Sequence, residues 1–114
     1  MKTLDRNLLL ENVDGDFDLL RELVDLFHES CGEILGNLRQ AVDSSAADDV
    51  SRFAHQLKGA LANLGAQAGA EAARQLESIG RTAAIQDAPS ALAELERQLD
   101  LLAPELQQLV DTAA

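Results

Sequence analysis

The spacing of apolar residues between positions 17 and 42 constrains the fold of this chain most strongly. In this segment apolar residues recur three or four positions apart, which is the repeat of an α-helix that buries one face. No segment alternates apolar and polar residues as a half-buried strand does. Because Leu, Ala, Glu, Gln and Arg also dominate and β-branched residues are few, we predict an all-α fold.

Turn and capping residues divide the chain into five predicted helices. Carboxylates of the Asp14-Gly15-Asp16 turn are expected to accept from amide groups at the start of the second helix. Gly65 is the residue best able to take the left-handed conformation at the end of the third. The predicted helices are Leu4–Glu11, Phe17–Val42, about 46–64, Gln67–Thr82 and one that opens at Pro89.

Three further residue patterns refine these helices. Ser45 and Asp48 fit a capping box at the start of the third helix. Pro89 suits a first helical turn, and Pro104 is expected to kink the last helix because its ring removes one hydrogen bond. Four long helices with short connections predict an antiparallel up-and-down four-helix bundle with a short additional amino-terminal helix. We expect one domain over 1–114, with the core bundle at about 16–112.

Charge and composition exclude several function classes. With 20 acidic and 9 basic residues the net charge is -11, and Phe is the only aromatic type, so nucleic-acid binding is disfavoured. One cysteine and two histidines argue against a disulfide framework, a zinc site or any other metal site. No apolar stretch approaches the roughly 20 residues of a membrane-spanning helix. We therefore expect a cytoplasmic protein without membrane contact.

His55 is the outstanding candidate for chemistry. On a helical wheel of about 100° per residue, the apolar residues of the third helix lie opposite His55, so the imidazole points away from the core. It is then either an ordinary solvated histidine or a functional one. Lys58 and Gly59 share its face, and glycine in a helix interior costs about 1 kcal/mol relative to alanine, so Gly59 suggests close approach of another surface.

The residues His55, Lys58, Gly59 and Gly65 resemble the H-x-x-K-G-x-x-x-x-x-G signature of histidine-containing phosphotransfer domains. Further segments are similar to that family, so the resemblance covers nearly the whole chain: Gly15–Leu20, Glu22–Phe27, Leu38–Ala41 and Leu76–Arg81. It implies that His55 accepts a phosphoryl group from the aspartyl phosphate of a receiver domain and passes it to another receiver aspartate. The implied partners are response-regulator receiver domains or a hybrid histidine kinase.

Residue chemistry points the same way. A neutral imidazole is a nucleophile near neutral pH, and a lysine one turn along is suited to phosphoryl oxygens, although simple solvation is the alternative for Lys58. Counting eleven residues each way from Ala66 pairs His55 with Glu77 in an antiparallel hairpin. Glu77 is then expected to accept from Nδ1–H and leave Nε2 as the nucleophile, unless it is only a solvated surface charge. His28 is interpreted as a boundary residue without catalytic duty.

Small and polar neighbours of His55 are the candidate docking residues. They are Ser51, Arg52, Gly59 and Ala62 on the third helix and Gly36 on the second, where a helix bend is the alternative explanation. We expect a monomer that carries phosphoryl groups without being an enzyme, since no G-x-x-x-x-G-K-[ST] loop for ATP is present. No cofactor is expected on this chain, and Mg²⁺ belongs to the receiver.

Two other functions remain open from the sequence. An exposed histidine is also phosphorylated in the dimerising helical hairpin of a histidine kinase, but that segment needs a catalytic ATP domain. A non-phosphorylated helical scaffold would keep the acidic surface and have no use for an accessible His55. Replacement of His55 by Gln separates the relay from the scaffold, because only the relay loses function.

Overall fold

A computed structural model describes residues 1–112 and is all-α, as predicted. Five α-helices and one short 3₁₀ helix account for its regular structure. The α-helices are α1 (Arg6–Asn12), α2 (Phe17–Asp43), α3 (Ala47–Asn63), α4 (Gln67–Arg81) and α5 (Ala88–Thr112), and the 3₁₀ helix is Ile85–Asp87.

The four long helices form a closed ring around one apolar core. Helix α2 packs on α3, α3 on α4, α4 on α5, and α5 back on α2. Consecutive helices run in opposite directions because the connections at 44–46 and 64–66 are only three residues long. Fully buried leucines fill the centre of the bundle: Leu20, Leu38, Leu57, Leu61, Leu76, Leu95 and Leu106.

The amino-terminal segment closes the end of the bundle where α3 turns into α4. The amide of Asp5 donates to the carbonyl of Gly65 at 2.8 Å, and the Asn12 side chain donates to the carbonyl of Asn63 at 3.1 Å. Gly65 has φ +78°, the left-handed conformation predicted for it, and an added Cβ would lie 2.9 Å from the Asp5 carbonyl oxygen. Glycine at this position therefore serves both the turn and the contact with α1.

One predicted cap is confirmed and another is wrong. Asp16 accepts from the amides of Asp18 and Leu19 at 3.0 and 3.1 Å, as expected at the start of α2. The capping box at α3 does not form, because α3 begins at Ala47 after Ala46, which makes no side-chain cap hydrogen bond. Ser45 instead takes φ +54° in the tight turn between α2 and α3. The geometry of the turn thus overrides the local capping pattern.

The two prolines lie in one helix. Pro89 occupies the first turn of α5, which begins one residue earlier than predicted. The 3₁₀ helix that precedes α5 was not predicted. Helix α5 continues through Pro104, which is exposed, so water can satisfy the carbonyl that the proline leaves without a donor. No helix among residues 1–112 combines the length and apolar character that crossing a membrane requires.

Candidate functional site

His55 stands on the outer face of α3, as the wheel predicts. Its side chain is 65% exposed. On the opposite face of the same helix Val50, Ala54, Leu57 and Leu61 are completely buried. The helix is therefore held from behind by its apolar residues, and the imidazole projects into solvent.

Glu77 of α4 is the partner of the ring. Glu77 Oε2 lies 2.8 Å from His55 Nδ1. Glu77 is the one charged residue in the described chain that is buried, with 6% exposure. An ionised carboxylate only accepts hydrogen bonds, so Nδ1 carries the ring proton and donates it to Glu77. The neutral imidazole then keeps its lone pair on Nε2.

Lys58 binds the other oxygen of the same carboxylate. Its Nζ donates to Glu77 Oε1 at 2.7 Å, and its side chain is 32% exposed. The sequence predicts Lys58 beside His55, but this ion pair was not predicted. Lys58 is one helical turn from His55, but this spacing alone does not determine that its side chain reaches Glu77.

The surroundings of Glu77 hold its carboxyl in the ionised form. The hydrogen bond from Lys58 is the main cause that lowers the pKa of Glu77, and the hydrogen bond from His55 lowers it further. Burial acts in the opposite direction without reversing the result. His55, Glu77 and Lys58 thus form a connected triad in which one buried carboxylate fixes two side chains of α3.

The predicted docking residues differ in how accessible they are to a partner. Gly59 and Ala62 on α3 and Gly36 on α2 are exposed, and no atom would lie within 4 Å of a Cβ added at Gly36 or Gly59. Ser51 is half-buried because α4 packs against its backbone. Arg52 is exposed, but its guanidinium already contacts other side chains of α3.

Arg52 makes two contacts with its own helix. Its guanidinium donates to Asp49 at 3.0 Å and lies 4.7 Å above the ring of Phe53. Such surface pairs are worth about 0–1 kcal/mol, so a partner can displace them at little cost. Arg52 is therefore accessible to a docking partner only through exchange of these contacts.

An apolar groove between α2 and α3 was not predicted. Its volume is about 170 Å³, and Leu26, at its edge, is 60% exposed. The residues that line it include Leu23, Leu26, Phe27, Ser30, Ala60 and Asn63. Ala60 and Asn63 are neighbours of the exposed Gly59 and Ala62 along α3. The groove could have been predicted from the apolar stripe of α2, which is wider than the face that α2 buries in the core.

Two other residues lie away from this chemistry. His28 is exposed on α2, where its ring centroid lies 5.8 Å from that of Phe27. Burial raises the pKa of the Cys31 thiol, in keeping with a small apolar side chain. Within residues 1–112 no three His, Cys, Asp or Glu side chains form a group suited to a metal ion.

Comparisons with known proteins match both the sequence and the fold of this chain. The family model of the Hpt domain matches residues 22–112. The structure is similar to the crystal structure of histidine-containing phosphotransfer protein B from Pseudomonas aeruginosa, with a TM-score of 0.90 and 26% identity over 96% of each chain.

A plant protein shows a shorter similarity. Histidine-containing phosphotransfer protein 2 of Arabidopsis thaliana is 35% identical over 57 residues, which cover 47% of this chain and 36% of the plant protein. The family match itself extends over α3, α4, α5 and most of α2, and it includes His55, Lys58 and Glu77. The chain therefore belongs to the Hpt domain family.

Proposed function

We propose that this protein is a phosphorelay intermediary in which His55 accepts a phosphoryl group from a receiver-domain aspartyl phosphate and delivers it to a second receiver aspartate. The observation that carries the proposal is the solvent-exposed imidazole whose Nδ1–H is bonded to a buried carboxylate, Glu77, at 2.8 Å. This arrangement leaves the nucleophilic lone pair on Nε2, which a partner can approach from solvent.

The transfer step needs no proton removal. The Nε2 lone pair attacks phosphorus, a P–N bond forms, and the P–O bond to the aspartyl carboxylate breaks with the electron pair leaving on that carboxylate. The ring keeps its Nδ1 proton and becomes a cation, which the negative charge of Glu77 stabilises. Transfer onward is the reverse step, in which a second aspartate attacks phosphorus and the neutral imidazole leaves.

Lys58 has a role in the same step. Its ammonium lies one helical turn from His55 and is held by Glu77 at 2.7 Å. In the phosphorylated state the phosphoryl oxygens compete with Glu77 for this cation, and Lys58 offsets repulsion between the phosphoryl group and the carboxylate. The 32% exposure of its side chain supports such a rearrangement.

The proposed partners are receiver domains, free or within a hybrid histidine kinase. Docking would use Gly59, Ala62 and Gly36 together with the apolar groove beside Leu26, because these surfaces adjoin the helix that carries His55. We further propose that the protein acts in the cytoplasm as a monomer, and that it is a carrier without ATP-dependent kinase activity. The Mg²⁺ that assists transfer would be bound by the receiver.

A direct transfer assay tests this function. The purified chain is mixed with a receiver domain that carries labelled aspartyl phosphate, and acid-labile, alkali-stable label is followed on this chain. We expect rapid labelling of the wild type and none of the His55→Gln variant. His28→Gln is the matched control, because His28 is the second exposed histidine and should leave labelling unchanged.

Three outcomes would contradict parts of the proposal. Label that persists in His55→Gln would place the acceptor elsewhere. A folded wild type that takes no label from a panel of phosphorylated receivers or from phosphoramidate would leave the scaffold function as the better account. Sedimentation of the purified chain as a dimer would contradict the monomer.

A further inference from the structure

Helices α3 and α4 approach each other very closely at Gly80, one turn from Glu77. A Cβ added at Gly80 would lie 2.6 Å from the amide nitrogen of Ser51, 2.8 Å from the carbonyl oxygen of Ala47 and 2.9 Å from the Ser51 Cα. All three are backbone atoms, so no side-chain rotation can relieve the overlap. Any residue larger than glycine must push the two helices apart.

Glu77 and Gly80 lie three residues apart on the α4 face that meets α3, and Ser51 and His55 lie four apart on α3. The hydrogen bonds of Glu77 to His55 and Lys58 are 2.8 and 2.7 Å long, and N–H···O bonds weaken beyond about 3.2 Å. Relief of the overlap at Gly80 requires a local shift on the order of 0.5–1 Å. A shift of that size is enough to open these bonds.

We propose that Gly80 is a positioning residue for phosphoryl transfer, because it sets the α3–α4 distance at which Glu77 reaches both His55 and Lys58. Gly80 touches no reacting atom and acts only through the carboxylate. With the wider spacing of an alanine variant, the ring proton redistributes over both nitrogens, and the neutral Nε2 nucleophile is less populated. The expected effect on the rate of phosphorylation rests on the proposed function. The expected effect on the ring protonation of His55 does not.

The interface supplies a matched control at Gly69. Gly69 is also buried between α3 and α4, but the three atoms nearest to its added Cβ would be side-chain carbons of Leu61, the first at 3.3 Å. A leucine side chain can move by a few tenths of an ångström, so Gly69→Ala requires no separation of the backbones. It alters the same interface at a distance from the triad.

The experiment measures ring protonation and phosphorylation in the same variants. Nitrogen-15 chemical shifts of the His55 ring report which nitrogen holds the proton, and phosphoramidate, a small donor that needs no docking surface, reports the rate of His55 phosphorylation. We expect Gly80→Ala to lose the predominance of the Nδ1–H form and to be phosphorylated about tenfold more slowly. Gly69→Ala should retain the wild-type protonation and rate.

A second comparison separates positioning from general destabilisation. In a Glu77→Ala background, which has no side-chain acceptor for Nδ1–H, Gly80→Ala should slow phosphorylation no further, because the group through which it acts is already lost. If Gly80→Ala does not fold by itself, it is made together with Gly32→Ala. Gly32 is an exposed helical glycine with open space at Cβ, so alanine there strengthens α2.

Either of two results would overturn the inference: a folded Gly80→Ala protein with wild-type ring protonation, or an equal loss of rate in the wild-type and Glu77→Ala backgrounds. Failure of the proposed function looks different. In that case phosphoramidate and receivers fail to label even the wild type, but Gly80→Ala still changes the ring protonation of His55.

Discussion

Glu77 and His55 are 22 positions apart in the sequence and are joined by a 2.8 Å hydrogen bond across the interface of α3 and α4. The bond connects the exposed imidazole to a carboxylate that is itself buried and held by Lys58. The orientation of the ring is therefore fixed from inside the bundle, while its other nitrogen remains open to solvent. This division explains how a rigid helical protein can present one reactive atom to a partner.

The first prediction concerns the charge of Glu77. Glu77→Gln keeps the size of the side chain but removes the negative charge that stabilises the phosphorylated, cationic ring. A hydrogen bond to a charged group is worth about 1.5–3 kcal/mol and one to a neutral group about 0.5–1.5 kcal/mol, so phosphorylation of His55 should slow about tenfold. Single-turnover labelling from phosphoramidate measures this rate, with Glu71→Gln as a control on the same helix. An unchanged rate would show that the carboxylate has no part in the transfer step.

The second prediction concerns pH and stability. The pKa of the Glu77 carboxyl lies below its ordinary value of 4.5, chiefly through the hydrogen bond from Lys58. The folded protein therefore binds this proton less readily than the unfolded chain does. The stabilisation is fully present above the ordinary pKa and is lost as the pH falls through the lower pKa of the folded state.

Urea unfolding of the wild type and of Glu77→Gln measures this effect. The difference between their free energies of unfolding should be largest near pH 7 and should shrink below pH 4.5 as the carboxyl becomes protonated. Glu22→Gln is a suitable control because Glu22 is exposed on α2. A difference that stays constant down to acid pH would contradict the assigned direction of the pKa shift.

The third prediction concerns Lys58. Lys58→Met removes the main cause of the low pKa of Glu77, so that pKa should rise, and carboxyl carbon-13 shifts should follow it. Loss of the cation should also slow phosphorylation by about tenfold, whereas Lys58→Arg should restore part of the rate. Arg52→Met is the matched control, since Arg52 lies on the same helix but pairs with Asp49. If both Met variants behave alike, the triad has no special role for Lys58.

The sequence predicts the fold well because the helix-period pattern of α2 and the glycine at 65 are local signals. It also places Glu77 opposite His55, since residue counting is sufficient when a three-residue turn joins two antiparallel helices. The start of α3 was harder to predict, because the turn forces Ser45 to φ +54° and its capping pattern cannot form. The contact between Lys58 and Glu77 depends on side-chain directions, which spacing alone does not determine.

The fourth prediction concerns Gly65. Alanine there must adopt φ +78° and place its Cβ 2.9 Å from the Asp5 carbonyl oxygen. We expect a loss of about 1–3 kcal/mol in the free energy of unfolding, from backbone strain and displacement of the segment before α1. Gly36→Ala, at an exposed helical position with open space, should instead be neutral or stabilising. Urea midpoints measured side by side test this, and equal midpoints would contradict it.

The final prediction separates docking from chemistry at Gly59. This glycine is exposed on α3, four residues after His55, and nothing lies within 4 Å of an added Cβ. Gly59→Gln should therefore fold normally and be phosphorylated by phosphoramidate at about the wild-type rate, because the small donor needs little space. Transfer from a receiver should fall by about tenfold or more, because the new side chain obstructs the approaching surface. Ala93→Gln is the control, because Ala93 lies on α5, which packs on α2 and α4 and does not carry His55. This variant should change neither rate. A Gly59→Gln protein that receives phosphate normally from a receiver would show that docking avoids this face of α3.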